Sequence, residues 1–198
     1  MKSHEEVNYF LNHVLKDISS ALIHLEEHGV VHMDIKQDNV MLRHNGDFVL
    51  IDFGRACMLD EDKEVKDRDW VDAPCGAYVF QSPEVIKMVL RHLRKEAVDS
   101  ELYFTAKHDI YSLGLLLYFY TTGGQTYLNG YPKNTSTVGA LLALLNVIQR
   151  RKKLTLSNDF DACHFIRMML EPDPSKRVCA RAVNNLCVKM LEKKFTII

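Results

Sequence analysis

The chain has 198 residues, 47% of them hydrophobic and 26% charged, with a net charge of −1. That composition is one of a packed globular domain and excludes a disordered chain. The near-zero charge gives no general attraction for nucleic acid or a membrane surface, and neither is expected as a partner.

Val7, Phe10, Leu11, Val14, Ile18, Ala21, Leu22 and Leu25 recur every three or four residues. This spacing predicts an amphipathic helix, with Gly29 as its C-terminal cap. Val30-Val31 then lead into His32-Met33-Asp34-Ile35-Lys36-Gln37-Asp38-Asn39. Val40-Met41-Leu42 and Phe48-Val49-Leu50-Ile51 flank a turn containing Asn45-Gly46, which reads as a short β-hairpin delivering Asp52-Phe53-Gly54. Arg55 to Ala77 reads as a loop, mostly solvated, with acids and bases mixed between Asp60 and Asp69. Val85, Met88, Val89 and Leu93 keep helical spacing beside Lys87, Arg91, Arg94 and Lys95. Residues 85–108 are therefore expected to hold an inserted basic helix, whose face is either solvated or a docking surface. Asp109 to Tyr120 is apolar nearly all round, so that helix belongs at the centre, ended by Gly123-Gly124. Further helices are expected over 137–151, with Ser136 as N-cap, over 159–170, and over 178–193.

The first motif places an acid, a lysine and an amide at fixed offsets, and an acid followed by Phe-Gly comes after the hairpin. Together these resemble the H-R-D-x-K-x-x-N catalytic loop and D-F-G triplet of eukaryotic-type serine/threonine protein kinases. Further along, Cys75 to Glu84 resembles the end of a kinase activation segment. Asp109 to Gly114 resembles the D-x-W-S-x-G helix, and Glu171 to Arg177 the D-P-x-x-R turn. The resemblance runs over essentially all of residues 1–198. It implies one mainly α unit, a protein-kinase-like C-terminal lobe with a short β-hairpin carrying the catalytic and metal-binding loops.

By that resemblance Asp34 would accept the proton of a substrate hydroxyl, and Lys36 would neutralise the transferring phosphoryl group. Asn39 and Asp52 would hold magnesium, a hard cation that prefers oxygen ligands. Phe53 and Gly54 complete the nucleotide-side triplet, with ATP and Mg2+ as cofactors. His32 and Phe53 are packing residues in this reading. Glu84 and Arg177 would form a buried ion pair, and Asp109 would hydrogen-bond the catalytic-loop backbone.

The sequence also departs from the pattern. No G-x-G-x-x-G occurs in it, and only Met1 to Glu6 precede Val7. The small N-terminal lobe is therefore expected to be missing. Met33 takes the place of the arginine that receives an activation-loop phosphate in many kinases. No Ser, Thr or Tyr lies between Arg55 and Ala77, so no loop phosphate is expected to control the protein. Ala77 stands where the family has threonine, and Ser82 where it has alanine. Two functions stay open: phosphoryl transfer to a protein substrate, or a non-catalytic lobe mimic that binds and regulates another kinase. A purely structural lobe is a third.

The five cysteines (Cys57, Cys75, Cys163, Cys179 and Cys187) are odd in number and form no C-x-x-C. They read as reduced thiols, and the polar first residues do not form a secretory signal. A cytoplasmic or nuclear, not secreted, protein is expected.

Overall fold

A computed structural model describes residues 4–66, 78–97, 102–126, 136–149 and 162–195. Helix α1 spans His4–Glu27. Leu11, Val14, Leu15 and Ile18 on one of its faces are fully buried. The helix ends because Gly29 takes φ +68°, a conformation that costs a residue with a Cβ, while its N–H donates to the Glu26 carbonyl.

The chain then forms β1 (Val30–Val31), a 3-10 turn at Gln37–Asn39, β2 (Val40–Leu42) and β3 (Phe48–Leu50). β2 and β3 pair antiparallel with Val40 opposite Leu50 and Leu42 opposite Phe48. The turn between them is closed by Arg43 N–H on the Asp47 carbonyl, with Gly46 at φ +92°. β4 (Cys57–Met58) pairs antiparallel with β1, and β5 (Val65–Lys66) with β6 (Tyr103–Phe104).

The remaining helices are α2 (Pro83–Leu93), α3 (Lys107–Thr121), α4 (Thr137–Gln149), α5 (Ala162–Met169) and α6 (Ala180–Phe195). The structure is mainly helical. Among the described residues, two apolar cores form. In the first, α3 is buried from His108 to Tyr118 among α1, α5 and α6. Gly114 allows that packing: a Cβ there would stand 2.9 Å from the Met169 Cβ. Ser136 caps α4 by accepting from Gly139 N–H at 3.2 Å. The second core joins α2 and α4 through Val85, Met88, Val89, Leu141, Leu144 and Ile148, and also takes in Val31, Met33, Val65 and Phe104.

Residues 85–108 do not form one basic helix. α2 begins at Pro83, whose missing N–H costs nothing at a helix start, and ends at Leu93. Lys95 has φ +55°, and residues 103–104 are a strand. The sequence pattern missed this because Ile86 and Leu90 extend the apolar set of α2 to a full buried face. Basic residues serve the helix end: Arg91 in the last turn of α2 and Arg94 just after it both reach Glu96, at 3.7 and 3.5 Å. The expectations for residues 67–77, including Ala77, and for the ends of α4 and α5 at 150–153 and 159–161, lie outside the described residues.

Candidate active site

The loop from His32 to Asn39 is held from below by α3. Asp109, buried at the first turn of that helix, accepts from His32 N–H at 2.6 Å and from Met33 N–H at 3.0 Å. Burial pushes the Asp109 carboxyl up to about 7, and the two N–H donors offset only part of that. Met33 sits at φ +67°, a strained backbone for a residue with a side chain. It persists because Asp109 holds its N–H, and Gln81 Nε2 donates to its carbonyl at 3.4 Å.

His32 ties the loop to the hairpin. Its Nε2 lies 3.1 Å from the Ile51 carbonyl, and its Nδ1 accepts from Asp34 N–H at 3.3 Å. These partners require a proton on Nε2 and none on Nδ1, so the ring is neutral. Burial, which lowers its pKa, agrees. One imidazole thus fixes the backbone at Asp34 and at the residue before Asp52.

Asp34 is buried, and both of its side-chain donors use one oxygen. Lys36 Nζ reaches Oδ2 at 2.6 Å, and Asn39 Nδ2 reaches it at 2.9 Å. Asn39 Nδ2 also donates to the Asp34 carbonyl at 2.7 Å. Oδ1 has no donor among the described residues. It is left as the free acceptor of an oriented carboxylate.

Asn39 and Asp52 close the far side. The Ile51 N–H donates to the Asn39 carbonyl at 3.0 Å, so the two segments run side by side as the hairpin opens. Asp52 is exposed at φ +62°, with Oδ1 accepting from Gly54 N–H at 3.2 Å. The second carboxylate oxygen of Asp52 is not engaged by that bond. The Asn39 amide turns its nitrogen to Asp34, which leaves its oxygen out of those bonds. Asn39 and Asp52 each carry a hard oxygen, the donor type that magnesium prefers. They do not make a self-sufficient cage, and no group of three or more His, Cys, Asp or Glu suited to a metal occurs among the described residues. Phe53 rests edge-on against His32, with ring centroids 4.8 Å apart, and is 49% exposed.

A buried brace stands behind the loop. Arg177 meets Glu84 with both guanidinium nitrogens, at 2.6 and 3.0 Å. Its remaining N–H groups go to the carbonyls of Glu171, Lys107 and Pro172, and its plane lies 4.7 Å from the Tyr111 ring centre. Burial alone would raise the Glu84 pKa; the bonds and charge of Arg177 more than reverse that and hold it low.

The protein kinase domain family matches residues 4–187, nearly the whole chain. The chain belongs to the protein kinase family. Among curated relatives, it is 30% identical over 174 residues to the serine/threonine-protein kinase/endoribonuclease IRE1b of Arabidopsis thaliana. It is 26% identical over 178 residues to CBL-interacting protein kinase 25 of Oryza sativa subsp. japonica. It is 32% identical over 164 residues to serine/threonine-protein kinase SMU1 of Mycosarcoma maydis. These alignments cover 86%, 90% and 83% of this chain, but 17%, 29% and 19% of the relatives. The kinase resemblance is therefore to the eukaryotic serine/threonine type, a family that uses ATP and magnesium and acts on proteins. No helix among the described residues is long and apolar enough to cross a membrane.

Motif reading reached Asp34, Lys36, Asn39, Asp52, Glu84, Asp109 and Arg177. It did not reach Gln81, which holds the Met33 carbonyl, or His108, whose Nδ1 lies 2.9 Å from Ser82 Oγ. The signal for His108 was present. Ser82 departs from the family alanine, and a buried hydroxyl needs a partner.

Proposed function

We propose that this chain carries the phosphate-transfer half of a serine/threonine protein kinase site. The observation behind this reading is the one-sided clamp on Asp34, in which Lys36 and Asn39 occupy Oδ2 and leave Oδ1 to a substrate hydroxyl. Asp34 takes the hydroxyl proton on Oδ1. The freed oxygen attacks the γ-phosphorus, and the bond to the leaving diphosphate breaks. Lys36, partly exposed beside Asp34, offsets the charge on the moving phosphoryl group. Asn39 and Asp52 are the residues that would hold magnesium, which when bound with ATP supplies the activated phosphoryl donor.

The test uses the whole chain. Magnesium-dependent ATP binding is measured for wild type and Asp52→Asn, and phosphate transfer for wild type and Asp34→Asn. Asp52→Asn should weaken binding. Asp34→Asn should keep binding and lower transfer by about 10²–10⁴-fold, the usual worth of a positioned base. Equal nucleotide binding in wild type and Asp52→Asn, or none in either, removes the enzyme reading.

A second reading is a non-catalytic module that docks on another kinase. It draws on the half-exposed Phe53, which borders an open groove of about 480 Å³ between α1 and the β2–β3 hairpin. A chain that binds no nucleotide but inhibits a second kinase on mixing would support it.

A further inference from the structure

The loop after the D-F-G triplet has no side chain that a phosphate could join, yet residues 57–66 are fastened at four successive points. Cys57 and Met58 pair with Val31 and Val30. Leu59 N–H donates to the Gly29 carbonyl at 2.7 Å. A tight turn follows. In it the Asp60 carboxylate accepts from Asp62 N–H and Glu64 N–H, each at 2.9 Å, and Asp60 N–H closes onto the Glu64 carbonyl. Val65 and Lys66 then pair with Phe104 and Tyr103.

Cys57 and Leu59 pack partly buried against an apolar cluster, and at the last point Val65 enters it. Val65 is 6% exposed, Phe104 1% and Met33 6%, and all three belong to the core shared by α2 and α4. Met33 belongs to the catalytic loop, and Val65 to the loop after the triplet. Phe104 lies on the segment that joins α2 to α3. Three segments distant in sequence thus contribute to one buried apolar cluster. A charged residue at position 33 would be desolvated in this cluster; methionine suits it by filling apolar space.

We infer that Met33, Val65 and Phe104 form an apolar latch that sets the first half of this loop against the catalytic loop without any added charge. The latch is an intramolecular docking site for the chain's own residues 57–66.

Amide hydrogen exchange on the full chain tests it. Val65→Thr keeps the side-chain shape and places a hydroxyl in the cluster. Amides of residues 57–66 should then exchange at least about tenfold faster, while those of α3 stay as in wild type. Phe104→Leu should act in the same direction. Tyr103→Ala is the control: it sits on the same strand with a side chain 40% exposed, and should change exchange by less than about twofold. Three results would overturn the latch. Wild-type amides at 57–66 could exchange as an open chain does. Val65→Thr could leave them unchanged. Protection at 57–66 and in α3 could fall together, which would make Val65 an ordinary core residue.

Discussion

At the residue scale, two buried neighbours on α3 oppose each other in pH. His108 is fully enclosed between Ser82 and Ser112, with the Phe104 ring at 5.9 Å. Burial, the largest cause, lowers its pKa from 6.5 to about 4; Glu84 opposes and Arg177 adds to the shift. A lowered folded pKa means stability present above 6.5 and lost as pH falls through 4. Asp109 is raised from 3.8 to about 7, so its contribution is present below 3.8 and lost as pH rises through 7. Between pH 7 and pH 4 the two slopes run in opposite directions, worth on the order of 3 kcal/mol for His108 and 4 kcal/mol for Asp109. Replacing His108 by Gln removes one of them. Denaturant midpoints for this variant should hold up better than wild type between pH 6 and pH 4.5. Parallel pH curves for the two proteins would show that His108 does not titrate on unfolding.

At the element scale, the Glu84–Arg177 pair joins the start of α2 to the turn before α6, and through Lys107 to the start of α3. Such a pair adds little compared with apolar replacement, but breaking it is costly. Arg177→Met strands the Glu84 carboxylate in a site where it is only 6% exposed. The expected loss is about 3–5 kcal/mol in urea unfolding. Adding Glu84→Gln should recover part of it, because a neutral amide needs no counter-charge. A double variant as unstable as the sum of the singles would mean that the two residues act independently. The basic stretch at the end of α2 is a weaker case for a docking face, since Arg91 and Arg94 are both drawn to Glu96.

At the scale of the whole molecule, the two apolar cores share the catalytic loop. Ile35 belongs to the first, and Met33 to the second. Asp109 accepts from the N–H groups of His32 and Met33 at the start of that loop, and Glu84 and Arg177 brace α2 against α3. The cores should therefore melt together. Leu113→Ala in the first and Leu144→Ala in the second remove side chains that are fully or almost fully buried. Each should shift one common transition by about 2–5 kcal/mol. Two resolved transitions, each sensitive to only one variant, would show that the loop does not couple them.

The sequence by itself determined the periodic and the local. The 3.6-residue spacing from Val7 to Leu25 specifies α1, and the all-round apolar stretch after Asp109 specifies a central α3. Asn45-Gly46 between two apolar runs specifies the hairpin. The motif spacing places Asp34, Lys36 and Asn39 within one turn, since so short a segment leaves few alternatives. What only the tertiary structure decided is what depends on partners distant in the chain. α2 looked like a basic surface helix because its charges stand out in sequence, while its buried face is recognised only against α4 and Phe104. Met33 read as the loss of a charged switch. The packed structure shows why an apolar side chain belongs there: position 33 lies inside a core that Val65 and Phe104 complete, and burial depends on which segments meet there.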